Sequence, residues 1–222
     1  MATATSELIA ELGSLDWTHR KGLMAYSTHA LHTYPAKLIP QIPRQLISIL
    51  GKRGEVVFDP FCGSGTTLVE ANLAGMHAIG CDINPLGRLI SECKTTRYPI
   101  SKTRQEIIKF IEKLDEVNER NNENFSDVLS EMNVGIDSWF CEESIEDIAR
   151  HVVAIQEAEI SDRSRKLICL AVSENLRKVS YQRGREWKLW REKDEDRKYV
   201  SLTPLVKEKL LSNLIMTEDF KR

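Results

Sequence analysis

The sequence predicts an α/β fold: a parallel βαβ unit in the first hundred residues, then a large and mostly helical second half. Three observations carry this. EVVFD (55–59) is a short β-branched and aromatic run that passes at once into the glycine turn of FDPFCGSGTT (58–67), and the turn passes into TLVEANLAG, a helix closed by Gly75. HAIGCDI (77–83) reads as a second buried strand, ending at Asp82, and a connection of this kind between parallel strands is right-handed. From residue 101 onward the apolar residues recur at helical spacing, with few strand signals between them.

Taken in order, residues 1–30 show no strong periodicity; Trp17, His19, Arg20, Tyr26 and His29 either line a groove or cap a core. Leu38, Ile39, Ile42, Leu46, Ile47 and Leu50 then recur on one helical face, with Pro40 and Pro43 as a kinked lead-in, the regular helix starting near Pro43, and Gly51 and Gly54 as its end. Asn84-Pro85 supplies a cap and first position for LGRLISECK. Thr103 and Glu106 form a capping box, and Ile107, Ile108, Ile111 and Leu114 form the apolar stripe behind it. NERNNENFSD is a loop by composition, and two further helices are expected over 144–159 and 162–178. The end, from Lys193, is charged and expected to be loosely attached apart from a short apolar pattern at 205–215. The expected organisation is a part built around the βαβ unit over 1–100, a helical region over 101–200 and a tail over 201–222.

Composition narrows the function classes. The net charge of −2, from 31 basic and 33 acidic residues, gives no global field for nucleic acid, so any such partner must meet a local patch. No run approaches the length of a membrane span, and the opening MATATSELIAELGSLDW lacks the basic and apolar blocks of a leader, so a cytoplasmic protein without a membrane partner is expected. Five cysteines without a CxxC pair disfavour disulfides and metal binding.

A strand, a tight glycine turn and a helix aim backbone N–H groups and a positive helix end at one point, which makes a ligand cradle. A phosphate loop needs Gly-Lys-Ser/Thr, whereas Gly65 is followed by Thr66 and Thr67. A dinucleotide fingerprint needs a third glycine where Leu68 stands. S-adenosylmethionine has no phosphate; its amino-acid part needs a turn and an acid, its ribose diol a carboxylate at the next strand end. Asp59 and Asp82 stand at those two places, Asp82 being 19 residues beyond Gly63. The plainer role for Asp82 is a helix cap alone. Cys62 reads as a buried packing residue with nothing nearby to make it a nucleophile, and His32 either orients the cofactor or bonds the backbone.

HTYPAKLIPQIPRQLI (32–47), VVFDPFCGSGTTLVEANLAG (56–75) and AIGCDINPLG (78–87) resemble the cofactor-binding half of bacterial DNA amino-methyltransferases, enzymes that methylate an exocyclic nitrogen of cytosine or adenine. The resemblance is close over about residues 25–100 and looser through SWF (138–140) and SENLRKVSYQRGREWKLWR (173–191). It implies a partial Rossmann-like S-adenosylmethionine-dependent methyltransferase fold. Asp59, Phe61, Cys62, Gly63, Ser64, Gly65, Thr66 and Thr67 would surround the methionine part, and Asp82, Ile83 and Asn84 the adenosine. Tyr34, Pro35, Ala36 and Lys37 would cover the cofactor from the other side.

The same family carries a second signature, Asp, Asn or Ser followed by Pro-Pro and an aromatic, which holds the target amino group and stacks on a flipped base. This chain has no Pro-Pro pair, and its nearest imitations, Asp59-Pro60-Phe61 and Asn84-Pro85-Leu86, belong to the cofactor side. No residue here is therefore assigned a catalytic role. Two clear strands also leave long open edges. Both gaps point to a sheet completed, and a catalytic motif supplied, by another chain or by the rest of a longer protein. The tail, which does not break off within an apolar strand, favours a natural end and a separate partner.

Between 177 and 191 stand Arg177, Lys178, Arg183, Arg185, Lys188 and Arg191 against the single acid Glu186, with Tyr181, Trp187 and Trp190 interleaved. Phosphate neutralisation plus stacking is the pattern of a nucleic-acid groove; a solvated helix end with tryptophans on the core is the other reading. The leading functional expectation is the S-adenosyl-L-methionine-binding subunit of a split DNA methyltransferase from a restriction-modification or related system. An RNA guanine methyltransferase fragment and a catalytically silent regulatory subunit are the alternatives.

Overall fold

The computed structural model describes residues 2–18, 25–120, 125, 128, 135–182 and 199–220. The chain opens on a helix that the sequence did not announce, α1 (Ala2–Ser14), over which the indole Nε1 of Trp17 donates to the Leu12 carbonyl at 3.0 Å. A single 3-10 turn follows at Ser27–Ala30. α2 (Gln41–Leu50) starts two residues before Pro43, which sits in the first turn where a missing N–H costs nothing; Gly51 ends it.

β1 (Val56–Asp59), α3 (Thr66–Leu73) and β2 (His77–Gly80) form the expected βαβ unit. The strands are parallel, with Val56 opposite His77 and Asp59 opposite Gly80. Among the described residues the sheet has these two strands. The expectation of buried strands is corrected on one face. Val57 and Ala78 rest on Ile47, Ala71 and Met76 beneath α2 and α3. Val56, Phe58 and Ile79 point the other way and remain 58%, 59% and 53% exposed, because no element among the described residues covers that face. β2 also stops at Gly80, short of 83, since Asp82 leaves the ladder to bond the glycine turn.

α4 (Pro85–Thr95) is capped by Asn84, whose side-chain oxygen accepts the Leu86 and Gly87 N–H groups. α5 (Ile100–Glu119) begins earlier than a Thr103–Glu106 box would allow. Glu106 instead reaches across to the start of the next-but-one helix, accepting from Ser161 Oγ at 2.7 Å and Ser164 Oγ at 2.6 Å. Burial would raise that carboxyl, and these donors hold it below its usual range. The buried stripe of α5 is Ile107, Phe110, Leu114 and Val117; Ile108 faces solvent and Ile111 the margin.

A 3-10 turn (Ile136–Ser138) leads to α6 (Glu142–Glu157) and α7 (Asp162–Val179), the latter capped by Ser161. The loosely attached tail is corrected: Leu202–Asp219 is an 18-residue helix, α8, that buries Leu202, Val206, Leu210 and Leu214. Together with α5, α6 and α7 it encloses the main core. A smaller cluster of Leu31, Ile90, Cys93 and Leu170 joins α4 to α7. None of the helices is long and apolar enough to cross a membrane, among the described residues.

Candidate cofactor site

The site grows from the carboxyl end of β1. Gly63 and Gly65 adopt φ of 48° and 76°, left-handed values that L side chains rarely take, and so let the chain reverse within six residues of Asp59. The turn is stitched to β2 by Cys62 N–H to Cys81 O at 2.9 Å. One Asp82 oxygen accepts the Gly63 N–H at 2.7 Å and the other the Asn84 N–H at 2.8 Å. Asn84 caps α4, so Asp82 is a clasp between the turn and the second strand and not the helix cap itself.

Segment 26–37 lies over this turn. The Tyr34 hydroxyl accepts from Asn84 Nδ2 at 3.2 Å, and its ring edge stands 3.5 Å from where a Cβ on Gly63 would project. A cavity of about 230 Å³ opens between them, lined by Tyr34, Ala36, Lys37, Leu38, Asp59, Phe61, Cys62, Gly63, Ser64, Thr66 and Thr67. Of the expected cofactor residues, Gly65 shapes the turn from behind, Asp82 and Asn84 tie the rim, and Ile83 projects into solvent beside them, 99% exposed. Pro35 is in the covering segment without lining the cavity. Leu38 was not expected there.

The electrostatics follow from burial. The Cys62 thiol is pushed up by burial and by the nearby Asp59 and Asp82 charges, which agrees with a packing role rather than a nucleophilic one. The Lys37 amine is lowered by burial and donates to the His29 carbonyl at 3.2 Å. The Thr66 hydroxyl is buried at the cavity wall without a partner among the described residues, and Asp59 spends one oxygen on the Phe61 N–H, leaving the other open.

Beneath the site sits a polar knot that sequence reasoning missed. Glu70, one turn into α3, is buried and accepts from the Tyr26 hydroxyl, from Arg44 Nε at 3.0 Å and from His29 Nε2 at 2.7 Å. Arg44 also stacks over the Tyr26 ring at 4.7 Å. Burial would raise the Glu70 carboxyl, and the His29 and Tyr26 hydrogen bonds outweigh it; burial lowers His29. The signal was available: Glu70 is the one charged residue of α3, flanked by Val69 and Ala71. Of the two readings of His29, core rather than groove holds. His32 bonds the backbone, Nδ1 lying 2.5 Å from Thr33 O.

Of the expected nucleic-acid residues, Arg177 and Lys178 occupy the last turn of α7. Arg183, Arg185, Lys188 and Arg191, with Trp187 and Trp190, lie outside the described residues. The two segments of looser resemblance do meet, the Tyr181 N–H donating to the Trp139 carbonyl at 2.7 Å.

Residues 14–87, the stretch that builds the turn, both acids and the Tyr34 cover, match a family model described as DNA methylase. The type II methyltransferase M.MvaI of Kocuria varians is 34% identical over 195 residues, 86% of this chain and 42% of that protein. The type II methyltransferase M.MjaII of Methanocaldococcus jannaschii is 35% identical over 107 residues, 46% of this chain and 20% of that protein. A tRNA (guanine(10)-N2)-dimethyltransferase of the same organism is 42% identical over 52 residues, 23% of this chain and 15% of that protein. No solved structure matches significantly. The chain thus spans less than half the length of these curated relatives. The glycine turn, the Asp82 clasp and the Tyr34 cover all lie inside the matched stretch, and over that stretch the chain is similar to the DNA methylase family.

Proposed function

We propose that this chain is the S-adenosyl-L-methionine-binding part of a site-specific DNA methyltransferase acting on an exocyclic amino nitrogen of cytosine or adenine, with the Pro-Pro-aromatic motif supplied by a second polypeptide. The observation that carries the cofactor assignment is the Asp82 clasp beside a cavity whose wall holds an unpartnered Thr66 hydroxyl and a half-used Asp59 carboxylate. These donors and acceptors fit the cofactor's amino-acid part, and the outer lone pairs of Asp82 fit a ribose diol. Ile83 offers an exposed apolar face for an adenine ring.

When bound, the cofactor supplies an electrophilic methyl group on a sulfonium. The chain's own contribution is placement. The Thr66 hydroxyl and the open Asp59 oxygen hold the amino-acid end, Tyr34 and Lys37 close the side opposite the turn, and Asp82 sets the ribose end. In-line displacement depends chiefly on proximity and orientation, so one polypeptide can hold the cofactor while another presents the flipped base. The bare face of the sheet supports a second polypeptide, as does an apolar groove of about 350 Å³ beside β1, lined by Leu38, Ile42, Leu46, Leu50, Val56 and Met76 among others. The basic run from Arg177 to Arg191 is proposed as its DNA contact. The DNA reading is preferred to the RNA one because resemblance to M.MvaI runs through 195 residues and that to the tRNA enzyme through 52.

Calorimetric titration with S-adenosylmethionine tests the assignment. Wild type is expected to bind, and Asp82→Ala to bind about tenfold or more weakly, since it removes an acceptor of charge-assisted bonds. A wild-type chain that binds neither the cofactor nor its demethylated product is a silent subunit instead.

A further inference from the structure

The segment that covers the cofactor cavity does not hold its own shape. Ser27 and Ala36 sit at φ of 50° and 53°, left-handed conformations that are strained for a non-glycine residue and persist only where surroundings impose them. What imposes them comes from outside. The Thr28 hydroxyl donates to Lys94 O at 2.8 Å and Lys209 Nζ, on α8, to Ala30 O at 3.2 Å. Next to Tyr34 the anchor is Glu174, on α7. Its Oε2 accepts the Thr33 N–H at 2.7 Å, its Oε1 accepts the Thr33 hydroxyl at 2.8 Å, and His32 Nδ1 lies 3.3 Å away.

We propose that Glu174 is a positioning residue for the cofactor: by gripping the backbone and side chain of Thr33 it places Tyr34 against the glycine turn, so that a helix of the second half sets one wall of the cavity. A carboxylate gripping one residue through two bonds fixes the direction in which the chain leaves it, and the next residue is Tyr34. That ring has little freedom: its hydroxyl meets Asn84 and stands 3.2 Å from where a Cβ on Gly87 would be. A shift of the Thr33 peptide therefore changes the width of the cavity and not only the order of a loop. The proposal rests on the cofactor reading given above.

The test uses the full chain with Glu174→Ala, Glu174→Gln, Thr33→Val and the double variant Thr33→Val/Glu174→Ala. Cofactor Kd is measured by calorimetry, and amide exchange at Thr33 and Tyr34 with the melting temperature in the free protein. Glu174→Ala is expected to weaken binding about tenfold and to expose the Thr33 amide to exchange, as loss of two bonds to a charged acceptor implies. Glu174→Gln, which keeps one carbonyl acceptor, should recover most of the affinity. The double variant should bind no more weakly than Glu174→Ala alone, because both changes break one contact. Wild-type affinity in Glu174→Ala alongside weak binding in Asp82→Ala overturns the positioning role and leaves the cofactor reading standing. Strictly additive losses also overturn it. No binding by wild type overturns both readings.

Discussion

Gly65→Ala is expected to destabilise the protein by about 2–5 kcal/mol and to abolish cofactor binding, where most alanine substitutions in a turn are mild. Two effects add. At φ of 76° a Cβ costs about 1–2 kcal/mol through its clash with the following carbonyl. That Cβ would also fall 2.7 Å from Ser91 Cβ and 2.9 Å from Ser91 Cα, atoms of α4 that are not the yielding tip of a flexible side chain. Ser91 is flanked by Ile90, which is in the cluster joining α4 to α7, so α4 cannot retreat without opening that cluster. Gly54→Ala is the matched control, since φ there is 87° and nothing lies within 4 Å of the added atom. Denaturant unfolding of the two variants separates strain from collision. Gly54→Ala should lose only the strain, and equal losses at the two positions would mean that the approach of the turn to α4 carries no energy.

Lys94→Met should stabilise the protein by a few kcal/mol at neutral pH and remove a slope in its stability. Lys94 is fully buried, and its Nζ has no hydrogen-bond partner among the described residues. Burial, then the charges of Lys37 and Lys209, lower its pKa to about 7 against the favourable pull of Glu174. The ordinary value is 10.5, so between about pH 7 and 10.5 the unfolded chain holds a proton that the folded chain does not. Stability from this group therefore rises as pH rises through that window. The penalty is complete below about pH 7, and the full span is on the order of 4–5 kcal/mol. Methionine fills similar volume and carries no charge. Urea unfolding of both proteins at intervals from pH 7 to pH 10 isolates the effect from other titrating groups. The advantage of the variant should shrink steadily over that range, and a pH-independent difference would show that Lys94 keeps its charge in the folded state.

The β1-turn-α3-β2-α4 order was legible because each step is written locally. A β-branched run, two glycines that alone tolerate the turn, an apolar helix and Asn84-Pro85 each constrain a few neighbouring residues. The glycine turn and Asp82 were legible for the same reason, since the turn and its acid lie within one βαβ unit. Glu106 was misread as a local cap because its true donors, Ser161 and Ser164, lie more than fifty residues away. Glu70 and Glu174 were missed on the same ground, as their partners come from other elements.

The end of the chain shows the limit most clearly. KEKLLSNLIM carries charges and apolar residues in a mixture whose amphipathic pattern is weak, and only the groove between α5, α6 and α7 decides which side of α8 is buried. Periodicity and turn chemistry, acting over a few residues, were enough to place a glycine turn between two parallel strands with an acid at the end of each. Which strand face is covered, which carboxylates are buried with partners and where Tyr34 stands over the turn depend on contacts across as many as 179 residues of sequence. Those contacts form only when the helices of the second half close on the first, and no local propensity encodes them.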